Sequence, residues 1–236
     1  MVGGKTAQPA TEHISRVRGQ AARRLAIWIC LLGLPLAYEF SAVLPGPMRF
    51  YEGEKAYWYA GLDVRLVLLA VGLAAVAAAM RLSGQGLADV GWPPRLRAWH
   101  IIVGVALLGL GVVLALQHPA SVSPAVQPVS GSTPITVGER LAFLGLTVAE
   151  AIGQEMIWRG VLIRWLEPSV GPVGAALLAG FSYMFYHPGF GIDFRTLRVL
   201  LPLTAVYTAL VLWRKNLVPS TILHFVVTVG QLTIPI

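Results

Sequence analysis

The chain is poor in charge. Only 12% of its 236 residues are Asp, Glu, Lys or Arg, roughly half the share in soluble globular proteins. It has one cysteine, which excludes a disulfide scaffold and a paired-cysteine zinc site. No glycine-rich phosphate loop and no internal repeat occurs. Nothing alternates with period two over the length a membrane barrel needs. What is there instead is apolar: 56% of the residues are hydrophobic and the mean hydropathy is +0.69. Long apolar runs cross lipid only as helices, whose backbone bonds are satisfied internally. The expected fold is an all-α polytopic membrane bundle.

A span needs roughly 20 mainly apolar residues. Candidates fall at 25–44, 61–80, 99–117, 138–157 (continuing to 165), 173–186, 197–213 and from 217 to the C-terminus. That makes about seven helices in one membrane domain, 25–236, after a polar cytoplasmic segment, 1–24. Residues 119–134 read as an irregular loop. The 18 basic residues outnumber 11 acidic ones, but they lie in short segments between apolar runs. This is the pattern of topology determinants, so no nucleic-acid partner is expected. Their asymmetry predicts an integral multi-pass protein with a cytoplasmic N-terminus, in the cytoplasmic membrane if the source is prokaryotic.

Charges at bilayer depth are costly, so each needs a partner or a function. Glu150, Gln154, Glu155 and Arg159 share the fourth helix, His187 ends the fifth, and Ser220, His224 and Thr228 form a stripe on the seventh. Glu155 and Arg159 stand four apart and can pair. Residues 155 and 187 are each 16 positions from Gly171, which with Pro172 forms a hinge. An antiparallel hairpin would then bring Glu155 and His187 to one depth, where they can hold a water or a metal. Each feature also has a plain structural reading: a neutralising salt bridge, a helix-end histidine, interhelical hydrogen bonds. Asp63 and Arg65 read as interfacial anchors, and Trp158 and Trp165 as lipid or interface residues. Tyr183, one turn before His187, is a further candidate for the same cavity.

The run Gln154-Glu155-Met156-Ile157-Trp158-Arg159-Gly160 resembles the Glu-Glu-x-x-x-Arg-Gly signature of the CPBP family, the CAAX prenyl endopeptidases and bacteriocin-processing (Abi) proteins. Tyr183 to His187 resembles its Phe-x-x-x-His motif with Tyr for Phe, and His224 to Thr228 resembles His-x-x-x-Asn with Thr for Asn. The resemblance covers about 138–232. It implies an intramembrane protease with a polar cavity among helices four to seven, acting on a membrane-associated peptide or protein. By position the family's first Glu, which activates water with the first His, falls on Gln154. The second falls on Glu155, the Arg on Arg159, and the histidines on His187 and His224; Thr228 stands where Asn helps to bind the oxyanion.

An amide takes no proton, so Gln154 leaves three possibilities. Glu155 takes the base role, Glu150 does so from one turn away, or the protein is an inactive relative that binds a peptide or partner. No metal is expected; zinc on Glu155, His187 and His224 is the chemical alternative. The bilayer is a partner in every case, and the oligomeric state is not legible.

Overall fold

The computed structural model describes residues 8–43, 62–93, 95–117, 136–187 and 194–231. The expected loop at 119–134 and the side chains of Asp63 and Thr228 lie outside the described residues. The described chain is helical, with no strand among the described residues. In order come α1 (Gln8–Trp28), a π-helical segment (Ile29–Gly33), α2 (Leu34–Val43), α3 (Leu62–Leu82), a 3-10 turn (Leu87–Val90) and α4 (Ala98–Gln117). Then follow α5 (Val137–Gln154), a second π segment (Glu155–Leu162), α6 (Ile163–Tyr186), α7 (Phe194–Arg214) and α8 (Val218–Gln231).

Three stretches are long and apolar enough to cross a membrane: Ile14–Phe40, Val64–Leu82 and Leu144–Tyr186. The last, at 43 residues, is about twice a span. It turns at Gly171, whose backbone leaves the helical region (φ 72°, ψ 168°) just before Pro172. A positive φ costs glycine little, and proline then resumes a helix at its first turn. Ala98–Leu110, Leu200–Arg214 and Val218–Val227 are apolar but shorter.

The centre of the bundle is the second π segment, packed against α6, α5, α3 and α7. Trp158 is wholly buried and Trp165 nearly so, which corrects the expectation that both face lipid or interface. For Trp158 the reason is a partner for the indole. Trp158 Nε1 donates to Ser182 Oγ at 2.9 Å, and Ser182 Oγ donates to the Cys30 carbonyl at 3.1 Å. Cys30 sits in the first π segment, where the i→i+4 ladder is interrupted and a side chain can take up a carbonyl. One hydroxyl therefore ties together the first π segment, the motif segment and α6.

Glycines set the closest approaches. A Cβ on Gly160 would stand 2.7 Å from the Val90 carbonyl oxygen and 2.9 Å from Leu217 Cδ1. One on Gly72 would meet Leu34 and Ile157 at 2.7 and 2.9 Å. The motif glycine is thus a packing requirement: the 3-10 turn and the start of α8 close over it.

Candidate active site

The first motif lies where α5 becomes a π segment, between Gln154 and Glu155. A π turn bonds i to i+5 and rotates the residues after it relative to those before. Here that rotation separates two neighbouring polar residues onto two different networks.

Glu155 turns inward, with no exposed surface. Its Oε1 lies 2.9 Å from His224 Nδ1 and 3.3 Å from Arg159 NH1. The Arg159 guanidinium lies over the Tyr183 ring, 3.7 Å from its centroid. Tyr207 stacks on the His224 imidazole at 5.0 Å and 18°. With Glu155 accepting at Nδ1, the other nitrogen of His224, Nε2, faces the Tyr183 hydroxyl at 3.3 Å. The result is a row from Glu155 through His224 to Tyr183, with Tyr207 stacked on the imidazole and Arg159 over the Tyr183 ring.

Gln154 turns the other way. Its Nε2 donates to Glu150 Oε1 at 2.9 Å. The same oxygen is 2.9 Å from Arg65 Nε, on α3. Arg65 keeps 23% of its side chain exposed and lines the cavity, a place its reading as an interfacial anchor did not include. Glu150, in the mainly apolar second half of α5, needs a counter-charge, and Arg65 supplies it.

Between the two networks lies a cavity of about 110 Å³. Glu150, Gln154, Arg65, Tyr183, His187 and His224 are on its wall. Glu155 is not among the lining residues: it stands behind His224. His187 does not reach Glu155 by hydrogen bond either; its Nδ1 meets the Tyr183 carbonyl at 3.0 Å, one helical turn back. Thr228 lies one turn beyond His224 on α8. Ser220 is buried; its hydroxyl donates to the Leu217 carbonyl, just before α8, and also faces the Glu155 carboxylate.

Several side-chain atoms in the site are buried with no hydrogen-bond partner among the described residues, Gln154 Oε1 and Glu155 Oε2 among them. Buried polar atoms are rarely left so. A water-sized cavity beside Gln154 accounts for the first.

Within the trio Glu155, His187 and His224, Glu155 and His224 bond to each other while His187 bonds to the Tyr183 carbonyl. Glu155 is committed to Arg159 and to the histidine itself. No group of three His, Cys, Asp or Glu able to hold an ion occurs among the described residues.

Sequence reasoning named Glu150, Gln154, His187 and His224. It missed Arg65 as a cavity residue and Tyr207 as the platform of His224. An arginine three residues inside an apolar helix was the available signal for the first.

Residues 136–230 match the model of the family described as Type II CAAX prenyl endopeptidase Rce1-like. No curated protein and no solved structure matches the chain. The matched segment begins at α5 and ends on α8, so it contains every cavity residue named above except Arg65. The three motifs and the family match coincide: residues 136–230 are similar to the Rce1-like type II CAAX prenyl endopeptidases.

Proposed function

We propose that the protein is an active intramembrane endopeptidase, cleaving a peptide bond in a membrane-associated peptide or protein, with Glu150 as the general base. The observation that carries this reading is the placement of Glu150 on the cavity wall with Gln154 beside it, while Glu155 is outside it. A water held between Gln154 Oε1, Glu150 and His187 loses a proton to Glu150 as it attacks the carbonyl carbon. Glu150 returns that proton to the leaving nitrogen, which balances the step. The oxyanion takes hydrogen bonds from the Tyr183 hydroxyl, from Nε2–H of His224 as the imidazolium paired with Glu155, and from Thr228 in the role the family's asparagine fills. Glu155 positions His224, and Arg159 positions Glu155. No metal is used in this mechanism.

The protein is read as multi-pass, with about seven spans and its N-terminus cytoplasmic; reporter fusions at 88, 127 and 215 should read inside, outside, inside. The substrate and the lipid bilayer are its partners.

The test is cleavage of a library of membrane-anchored peptides by reconstituted protein. Glu150→Gln should lower kcat about 10²–10⁴-fold, the usual cost of losing a general base. Full cleavage by that variant would overturn the assignment. A second reading is favoured by Gln154 itself: an inactive relative that binds a peptide or partner. In that case wild type cleaves nothing in the library, yet retains a peptide that His187→Ala releases.

A further inference from the structure

A second polar cavity lies far from the first, where α1 meets the C-terminal end of α3. It measures about 430 Å³ and is lined by Ser15, Arg16, Gly19, Gln20 and Arg23 of α1 and by the segment Leu82 to Gly84. No acidic residue is on its wall among the described residues, and Arg16 has an interaction of its own besides. Arg16 and Arg23 are seven apart, so they share a helix face about 10 Å apart along the axis. The floor is rigid, because a Cβ on Gly19 would already stand 2.9 Å from the Leu82 carbonyl. Arg23 is held in place: its guanidinium lies 5.2 Å from the centre of the buried Trp165 ring, a cation–π contact.

The position of this cavity along α1 is informative. Arg24 is the last charge before the apolar stretch that begins at Leu25. Just below it Leu25, Trp28 and Leu32 are exposed on the outside of the bundle, as residues facing acyl chains are. The cavity therefore straddles the level where hydrocarbon gives way to headgroups, a layer roughly 5–7 Å thick on each side. The cations of α1 reach across it.

We propose that this cavity binds the phosphate of an anionic phospholipid, with Arg16 and Arg23 as its cations and Trp165 as the platform that orients Arg23. Guanidinium pairs suit phosphate because their donors match its oxygens in a planar fork. Basic pockets between membrane helices are recurrent sites for such headgroups. A diffuse surplus of positive charge would need neither a concave wall nor a stacked arginine.

The site is separate from the proteolytic cavity, so it is tested without an activity assay. Full-length protein is taken from nanodiscs of phosphatidylglycerol or of phosphatidylcholine, and retained lipid is counted by native mass spectrometry beside the thermal midpoint. Wild type should retain phosphatidylglycerol and gain stability from it, and should do neither with phosphatidylcholine. Arg16→Gln with Arg23→Gln should weaken that retention roughly 30-fold, taking the usual worth of a basic residue near an anionic surface. Arg214→Gln with Lys215→Gln, removing two exposed cations elsewhere, should leave it unchanged. Arg23→Lys keeps the charge and the fold but loses the planar fork, and should fall between the two. Equal loss from the Arg214 and Lys215 pair would reduce the effect to diffuse charge and overturn the site. Equal stabilisation by inorganic phosphate or glycerol phosphate alone would make it a site for a soluble phosphate and overturn the lipid assignment. Failure to retain phosphatidylglycerol at all would overturn it outright.

Discussion

Arg65 Nε lies 2.9 Å from Glu150 Oε1, so the first half of the chain closes a cavity whose other named residues all lie in the matched segment. Removing one member of a buried ion pair leaves the other uncompensated, at about 3–5 kcal/mol when both are fully buried. Arg65 is 23% exposed, so the cost here is smaller. Arg65→Gln is expected to lower the thermal midpoint, and Arg65→Gln with Glu150→Gln to regain most of it without regaining cleavage. A double-mutant cycle with no coupling would contradict the pairing.

Gln154→Glu restores the family's residue, but here it sets a second carboxylate against Glu150, whose Oε1 now accepts the Gln154 amide at 2.9 Å. Two carboxylates so close share one proton. For the active enzyme the expected outcome is a less stable protein that cleaves no faster than wild type. Cleavage seen only in the variant would establish the inactive reading of the natural chain.

Tyr183→Phe removes a hydroxyl 3.3 Å from His224 Nε2 and keeps the ring over Arg159. A phenylalanine stands at this position in the family's motif, so the fold should tolerate the change. We expect kcat to fall by about 10²–10³, the scale of a lost oxyanion donor, with KM little changed. An unchanged kcat would remove the hydroxyl from the mechanism.

Ser182→Ala tests the packing behind the site. It strands both the Trp158 indole N–H and the Cys30 carbonyl, which Ser182 now joins. A loss of about 1–3 kcal/mol is expected, the cost of an unsatisfied buried group. Thermal unfolding of the detergent-solubilised protein reads it, and cleavage per folded molecule should not change. A midpoint equal to wild type would mean that water replaces the hydroxyl.

Much of this architecture is local and so was legible. Apolar length marks the helices, Gly171-Pro172 marks the turn, and Glu155 with Arg159 reads as a pair because four residues make about one turn. The pairing of Glu155 with His224 was less accessible. Helical heights measured from the hinge pointed to His187, but heights carry no information about rotation. The π segment changes the rotation within the motif itself, and no propensity of Glu155 to Leu162 announces it.

By itself, then, the sequence determined what must be buried and what must be paired: a helical membrane chain, too poor in charge to spare any, with its polar residues grouped in three motifs. Only the tertiary structure decided who pairs with whom. Arg65 reaches Glu150, Ser182 takes up Trp158, and Glu155 retires behind His224, because helix rotation and close approach at Gly160 and Gly72 are set by packing between elements. Such packing depends on residues far apart in the chain, and periodicity along one helix does not encode it.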